Sequence, residues 1–168
     1  MRKIVIAATL ASALALSACK KEAPEELPPP PQVETSTPTP TGPTGPIPGT
    51  QQHFAQMMQG RDTIYFDTDK FDIDAEDQAA LRQQAQYLQQ YTNVRATVEG
   101  HADERGTREY NIALGERRAN AAKNYLVSLG VGAERVSTVS YGKERPVALG
   151  SNEQAWARNR RAVTVLLN

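Results

Sequence analysis

Cysteine is nearly missing from this chain, with a single residue, Cys19, among 168. No disulfide can form within it, and a cysteine-built zinc site is excluded. Histidine is almost as scarce. His53 and His101 are the only two, which leaves too few nitrogen ligands for zinc. The chain has no Gly-rich phosphate loop and no Ser-His-Asp arrangement, so two common routes to catalysis are absent. Net charge is missing too: 19 Lys and Arg balance 19 Asp and Glu. That balance lacks the basic footprint of a nucleic-acid binder and gives no electrostatic grip on anionic lipid. No cofactor is implied.

What is present begins at the N-terminus. "MRKIVIAATLASALALSAC" opens with Arg2 and Lys3 and continues as an apolar or small run over residues 4–16. This is the pattern of a secretion signal, residues 1–18. The run is short for a membrane span, which wants about 20 residues. It ends in Leu16-Ser17-Ala18-Cys19, where small residues fit a peptidase pocket. A lone thiol exported to an oxidising compartment has no disulfide partner. The stretch resembles the lipobox of bacterial lipoproteins, which implies that Cys19 is acylated and becomes the mature N-terminus. Acyl chains anchor at about 0.8 kcal/mol per buried methylene. Lys20 follows the cysteine, and in such lipoproteins that implies sorting to the outer membrane. Residues 19–60 then read as a lipidated N-terminus and a disordered, Pro-rich tether. Large apolar side chains are nearly absent there, so little surface can be buried against the ordering entropy. The prolines from Pro28 to Pro31 favour an extended polyproline spacer, or alternatively a Pro-rich recognition motif. His53 and the Met57-Met58 pair mark the approach to the folded part.

Residues 61–168 form one small domain. The spacing predicts a strand over 63–66, a helix over 75–91 capped by Asp74, and a strand over 95–101. A second helix follows over 107–129, closed by Gly130, then a strand over 136–141. Pro146 breaks the chain. Ser151 or Asn152 caps a short helix through Arg161, and a last strand covers 162–167. The alternation predicts an α/β sandwich, with one mixed sheet and helices packed on a face.

The corner "GHADERG", residues 100–106, is chemically richer than a turn requires. In the helix after it, Leu114, Ala122, Leu126 and Leu129 form an apolar stripe, and Arg118 falls midway along it. Arg117 turns about 100° away. A guanidinium carried toward a core needs a partner, and Asp103 at the strand end is a candidate. Two readings stay open. Asp103 and Arg118 form a structural pair, or they face a zwitterionic ligand, with Arg118 taking a carboxylate and an aspartate taking an ammonium. Backbone N–H groups at the helix start after Gly106 could assist with the carboxylate. Asp69, at the end of the first strand, joins them if the two strands are neighbours. Over an unbroken helix from Thr107, Arg118 lies about 16 Å along the axis, a distance that a bend near Gly115 would shorten.

"GHADERGTREYNIALGERRANAAKNYL", "VSYGKERPVALG" and "NRRAV" closely resemble the OmpA-like C-terminal domain family, and the lipobox and tether match its peptidoglycan-associated lipoproteins. The resemblance implies noncovalent binding of peptidoglycan through diaminopimelate of the stem peptide. It implies Asp103 and Arg118 as the gripping pair, with Asp69, Phe71, Asn111, Leu114 and Arg160 as further ligand-binding residues. The family usually has an aromatic residue where this chain has Thr68. The resemblance further implies TolB and other Tol proteins as partners, a membrane attachment through the N-terminal lipid, an outer-membrane location and a role in cell division. It implies no catalysis.

Three other readings compete. His101 and Asp103 share a strand face and could begin an acid–base or metal site. The acids of "DTDKFDID" invite calcium, but Phe71 and Asp72 stand where an EF-hand needs an oxygen ligand and a glycine. A domain that binds only protein partners would keep Asp103–Arg118 as structure. His101 itself reads as a strand-end histidine bonded to backbone.

Overall fold

The computed structural model describes residues 45–167. The signal segment, Cys19 and the proline run fall outside the described residues. In chain order the elements are α1 (Gln51–Met58), β1 (Thr63–Tyr65), α2 (Ala75–Gln90) and β2 (Arg95–His101). They are followed by α3 (Arg108–Ser128), a 3-10 turn (Ala133–Arg135), β3 (Val136–Gly142), α4 (Glu153–Asn159) and β4 (Arg161–Leu167). Each α-helix starts at a residue whose side-chain oxygen accepts a backbone N–H three positions on: Thr50, Asp74, Thr107 and Asn152. Such caps satisfy donors that a helix start leaves orphaned.

The sheet runs β1-β4-β2-β3. β2 and β3 are parallel, joined by the α3 crossover, while β4 is antiparallel to both its neighbours. The expected mixed sheet is therefore present. β1 and β2 are not neighbours, however, because the last strand slots between them. The helical side holds the core, where Leu81 and Leu88 of α2 and Leu126 of α3 pack with Ile64 and Val98 of the strands. Gln84 of the glutamine-rich helix also goes inside. It donates to the Arg61 carbonyl at 2.6 Å and accepts from Thr164 Oγ1 at 2.7 Å, so its polar atoms are satisfied.

The domain boundary lies upstream of residue 61. Residues 51–58, expected as the end of the tether, form α1, and Phe54 and Met58 are buried in the core. Two apolar residues four apart were enough, because packing into the core supplies the stability that so short a helix lacks alone. Gln51 Oε1 accepts the Leu166 N–H at 2.7 Å, and His53 Nδ1 meets Tyr87 Oη at 2.8 Å.

Two glycines decide where α3 crosses the sheet. A Cβ built on Gly100 of β2 would stand 1.8 Å from the carbonyl oxygen of Gly115. One on Gly115 would stand 2.4 Å from Ser140 Oγ and 2.9 Å from Gly100 O. Backbone thus meets backbone at this crossing. α3 is unbroken through Gly115, so no bend is needed to bring Arg118 to the end of β2. The close approach does it, together with a side chain that leans toward the helix N-terminus.

Candidate functional site

Beyond the crossing, a cleft of about 250 Å³ opens between the loop after β1, the turn after β2 and the start of α3. Asp69, Asp103, Asn111, Leu114 and Arg118 all line it, joined by Thr68, Arg105, Gly106 and Tyr110. Asp69 reaches the cleft although its strand is not beside β2. The loop after β1 crosses the end of β4, and Phe66 N–H bonds the Arg160 carbonyl at 2.9 Å on the way.

Arg118 is fully buried, but its partners are not carboxylates. Nε donates to Lys70 O at 2.9 Å, Nη1 to His101 O at 2.8 Å and Nη2 to Asp67 O at 3.1 Å. The guanidinium therefore ties the loop after β1 to the end of β2. Of its five N–H groups, two remain. Burial, then repulsion from Arg160, lowers its pKa to about 10, against the pull of Asp103 and Asp69. A cation held this way is stabilised by any anion brought to it.

The expected direct pair of Asp103 with Arg118 is not formed. Asp103 is taken by Arg105 instead. Its Oδ1 accepts from the Arg105 backbone N–H at 3.1 Å and Nε at 3.0 Å, and Oδ2 accepts from Nη2 at 2.6 Å. The backbone contact is an Asx turn, which an Asp two residues before the donor forms readily. Burial alone would raise the Asp103 pKa, but these bonds from Arg105 leave it lowered. Arg105 is half in solvent. Its guanidinium lies 4.2 Å over the Trp156 ring, and Nη2 also reaches Thr68 Oγ1 at 3.3 Å.

The unmatched charges of the cleft are therefore Asp69 and Arg118. Among the described residues neither has an ion-pair partner. Asp69 accepts only the Tyr110 hydroxyl, at 3.1 Å, and its backbone is held in the left-handed region at φ 57°. Tyr110 supplies an aromatic wall in a cleft where Thr68 supplies none. Leu114 gives an apolar floor. Asn111 is buried, and its amide donates to Arg105 O at 2.7 Å and Thr107 O at 3.0 Å. It fixes the turn. Lys143 Nζ holds the same turn from outside, donating to Gly106 O at 2.7 Å.

Two expected residues are elsewhere. Phe71 is 41% exposed and does not line the cleft. It follows Lys70, where the chain has already left the rim. Arg160 sits behind Asp103. Its Nη1 is 3.5 Å from Oδ2, while Nε and Nη2 engage Phe66 O and Glu153. Its short bonds tie the loop after β1 to the first turn of α4. Arg105 and Tyr110 were not foreseen. The Asp-x-Arg spacing inside a turn was the available signal for Arg105.

His101 departs from expectation as well. Its carbonyl is bonded, but both ring nitrogens are buried without a hydrogen bond, Nε2 standing 3.8 Å from Glu99 Oε2. The ring lies 5.5 Å from that of Tyr141. Burial, then the nearby Arg161 and Arg145, lowers its pKa from 6.5 to about 4. As pH falls below 6.5 the unfolded chain takes up a proton that the fold refuses until about pH 4. Stability from this group is thus present above 6.5 and lost through that window. His101→Gln should flatten the acid limb in urea melts between pH 4.5 and 7.5. An unchanged slope would refute the assignment.

The OmpA family profile matches residues 65–160. A peptidoglycan-associated lipoprotein of Rhizobium meliloti is 57% identical over 119 residues, covering 71% of this chain and 66% of the relative. Another, from Agrobacterium fabrum, is 51% identical over 162 residues, covering 96% of this chain and 86% of the relative. Among solved structures, the peptidoglycan-associated lipoprotein of Burkholderia pseudomallei is similar with a TM-score of 0.61 at 48% identity, over 62% of this chain and 89% of that one.

Proposed function

The chain belongs to the OmpA family and groups with its peptidoglycan-associated lipoproteins, and from that premise we propose that it binds peptidoglycan noncovalently, through diaminopimelate of the stem peptide. One observation carries the reading: a single cleft holds an unpaired carboxylate, Asp69, and an unpaired buried guanidinium, Arg118. The far end of diaminopimelate is a zwitterion, with an ammonium and a carboxylate on one carbon. Its ammonium goes to Asp69 and its carboxylate toward the floor above Arg118. The methylenes that join this end to the stem peptide lie against Leu114 and Tyr110. Asp103 becomes a second partner for the ammonium when Arg105 yields it, and Trp156 is already under that guanidinium.

In this reading Cys19 carries lipid that anchors the chain in the outer membrane, and the Pro-rich stretch spans the gap to the wall. Many copies on one membrane engage one polymer, so weak single contacts suffice. TolB and the other Tol proteins are the proposed partners, and constriction during division is the proposed setting. No catalytic step is assigned.

The test is a titration of the full chain, in mild detergent, with a diaminopimelate-containing stem peptide, followed by NMR. Shifts should cluster at Asp69, Asp103, Leu114 and Tyr110. A peptide with lysine at the same position lacks the second carboxylate and should bind at least tenfold more weakly, because a site built for a polar group rejects the analogue without it. Equal binding of the two peptides would remove Arg118 from ligand recognition.

A further inference from the structure

Arg105 belongs to the turn after β2, but its side chain reaches Thr68 Oγ1 in the loop after β1, at 3.3 Å. The guanidinium thus spans two walls of the zwitterion cleft that it also lines. Of the three bonds that Asp103 takes from this residue, two come from the side chain, Nε at 3.0 Å and Nη2 at 2.6 Å, and one from the backbone N–H at 3.1 Å. The Asx turn therefore stays closed if the side chain swings out. Arg160 Nη1 would still stand 3.5 Å from Oδ2. Asp103 would keep its place and offer one open position on each oxygen.

Arg105 and Arg118 are held in different ways. Arg118 is fully buried and gives its donors to three backbone carbonyls. The Arg105 side chain is 39% exposed and donates only to side chains, and among the described residues its Nη1 has no acceptor. Its pKa is raised, first by the bond to Asp103 and then, at longer range, by Glu153 and Asp69. The guanidinium thus answers both acids of the cleft, the place of the ligand's ammonium. Trp156 lies 4.2 Å beneath it and is fixed by donating Nε1–H to Glu104 at 3.0 Å. A cation is attracted to such a ring anywhere within about 6 Å of its centroid, so the guanidinium can leave Asp103 and stay on the tryptophan.

We propose that Arg105 is a specificity-determining residue of the cleft: a tethered cation that competes with the ligand for Asp103 and gives way only to a free ammonium. The proposal rests on the zwitterion reading and adds a selection rule to it. A ligand whose amine is acylated, and so neutral, has nothing to set against Asp103 and leaves Arg105 in place. For a ligand that does bind, the apparent affinity is scaled down by the fraction of chains in which Asp103 is free.

The test sets the native full chain beside Arg105→Gln, both in mild detergent. Glutamine keeps the backbone N–H of the Asx turn and removes the cation. In NMR titrations the diaminopimelate stem peptide should bind Arg105→Gln at least fivefold more tightly than the native chain. The same peptide acetylated at its far amine should bind Arg105→Gln no more tightly than it binds the native chain. Trp156 is the only tryptophan, so its emission reports the guanidinium above it. Stem peptide should change that emission in the native chain and leave it unchanged in Arg105→Gln. Equal tightening for the acetylated peptide would mean that the substitution merely opens the cleft, and would overturn the proposal. An emission unmoved at saturation of the native chain would overturn it as well. Stem-peptide binding that is equal in the two chains, or weaker in Arg105→Gln, removes this proposal and leaves the zwitterion reading standing. No binding by either chain removes both.

Discussion

Gly100→Ala is expected to unfold most of the domain. Its methyl would stand 1.8 Å from the Gly115 carbonyl oxygen and 2.6 Å from the carbonyl carbon. Both are backbone atoms, so no side chain can turn aside to relieve the overlap. The helix must lift off the strand, and α3 carries Leu114, Ala122 and Leu126 into the core. Interiors are packed as densely as organic crystals, so such a shift propagates. A loss above about 4 kcal/mol is expected, which is much of the 5–15 kcal/mol that holds a typical domain. Gly115→Ala should be severe but milder. Its nearest contact, Ser140 Oγ at 2.4 Å, is a hydroxyl that can rotate at the cost of its bonds to Ile112 O and Gly142 N–H, although Gly100 O at 2.9 Å remains. Urea melts followed by circular dichroism would decide the matter. A Gly100→Ala variant within about 1 kcal/mol of the native chain would mean that the crossing has slack.

Arg118→Met is expected to remove ligand binding and to weaken the fold together. The substitution keeps an unbranched apolar stem in the helix, but three carbonyls, those of Asp67, Lys70 and His101, lose their donor. Each buried acceptor left unmade costs about 1–3 kcal/mol where it cannot reach water. With the loop after β1 partly free to rehydrate, a total near 3 kcal/mol is expected. Binding of the stem peptide should fall at least a hundredfold, because the cation is gone and Asp69 is no longer held over the floor. Arg118→Lys is the sharper variant. It keeps the charge, yet one ammonium cannot span three carbonyls set by a planar fork. If Arg118 acted on ligand through charge alone, lysine would restore binding. Titration of a folded Arg118→Lys chain that still fails to bind would show that holding the loop is the larger part.

Much of this architecture could be read from residue spacing, and the exceptions share one cause. The helices over 75–90 and 108–128 and the strands after them carry a regular apolar period, so their local signal agrees with their burial. α1 carries Phe54 and Met58 in a glutamine-rich stretch, and only the hollow they fill distinguishes it from tether. Arg118 betrayed its burial by its place in the stripe. Its acceptors did not show, because they are backbone carbonyls, two of them contributed by a loop about fifty residues earlier. The nearest carboxylate in the sequence pattern, Asp103, was the reasonable expectation, and a local Asx turn had already claimed it for Arg105. Asp69 and Asp103 do line one cleft, but over the end of β4 rather than across adjacent strands. Contacts set by the period of a single element are legible in sequence. Contacts set by the order of strands in the sheet are not.

The docking of α1 has a mechanical side. A pull arriving through the upstream chain reaches this helix first. It is held by Phe54 and Met58 in the core, by the Gln51 contact to β4 and by the His53 contact to α2. From there the force passes through those contacts into β4 and α2, and along the chain into β1, whose following loop helps build the cleft. The cleft is built on the loop after β1, the end of β2 and the first turns of α3. Tension on the chain would therefore load the α1 contacts before it reaches β1 and the loop after it, so the entry helix is the first element to yield.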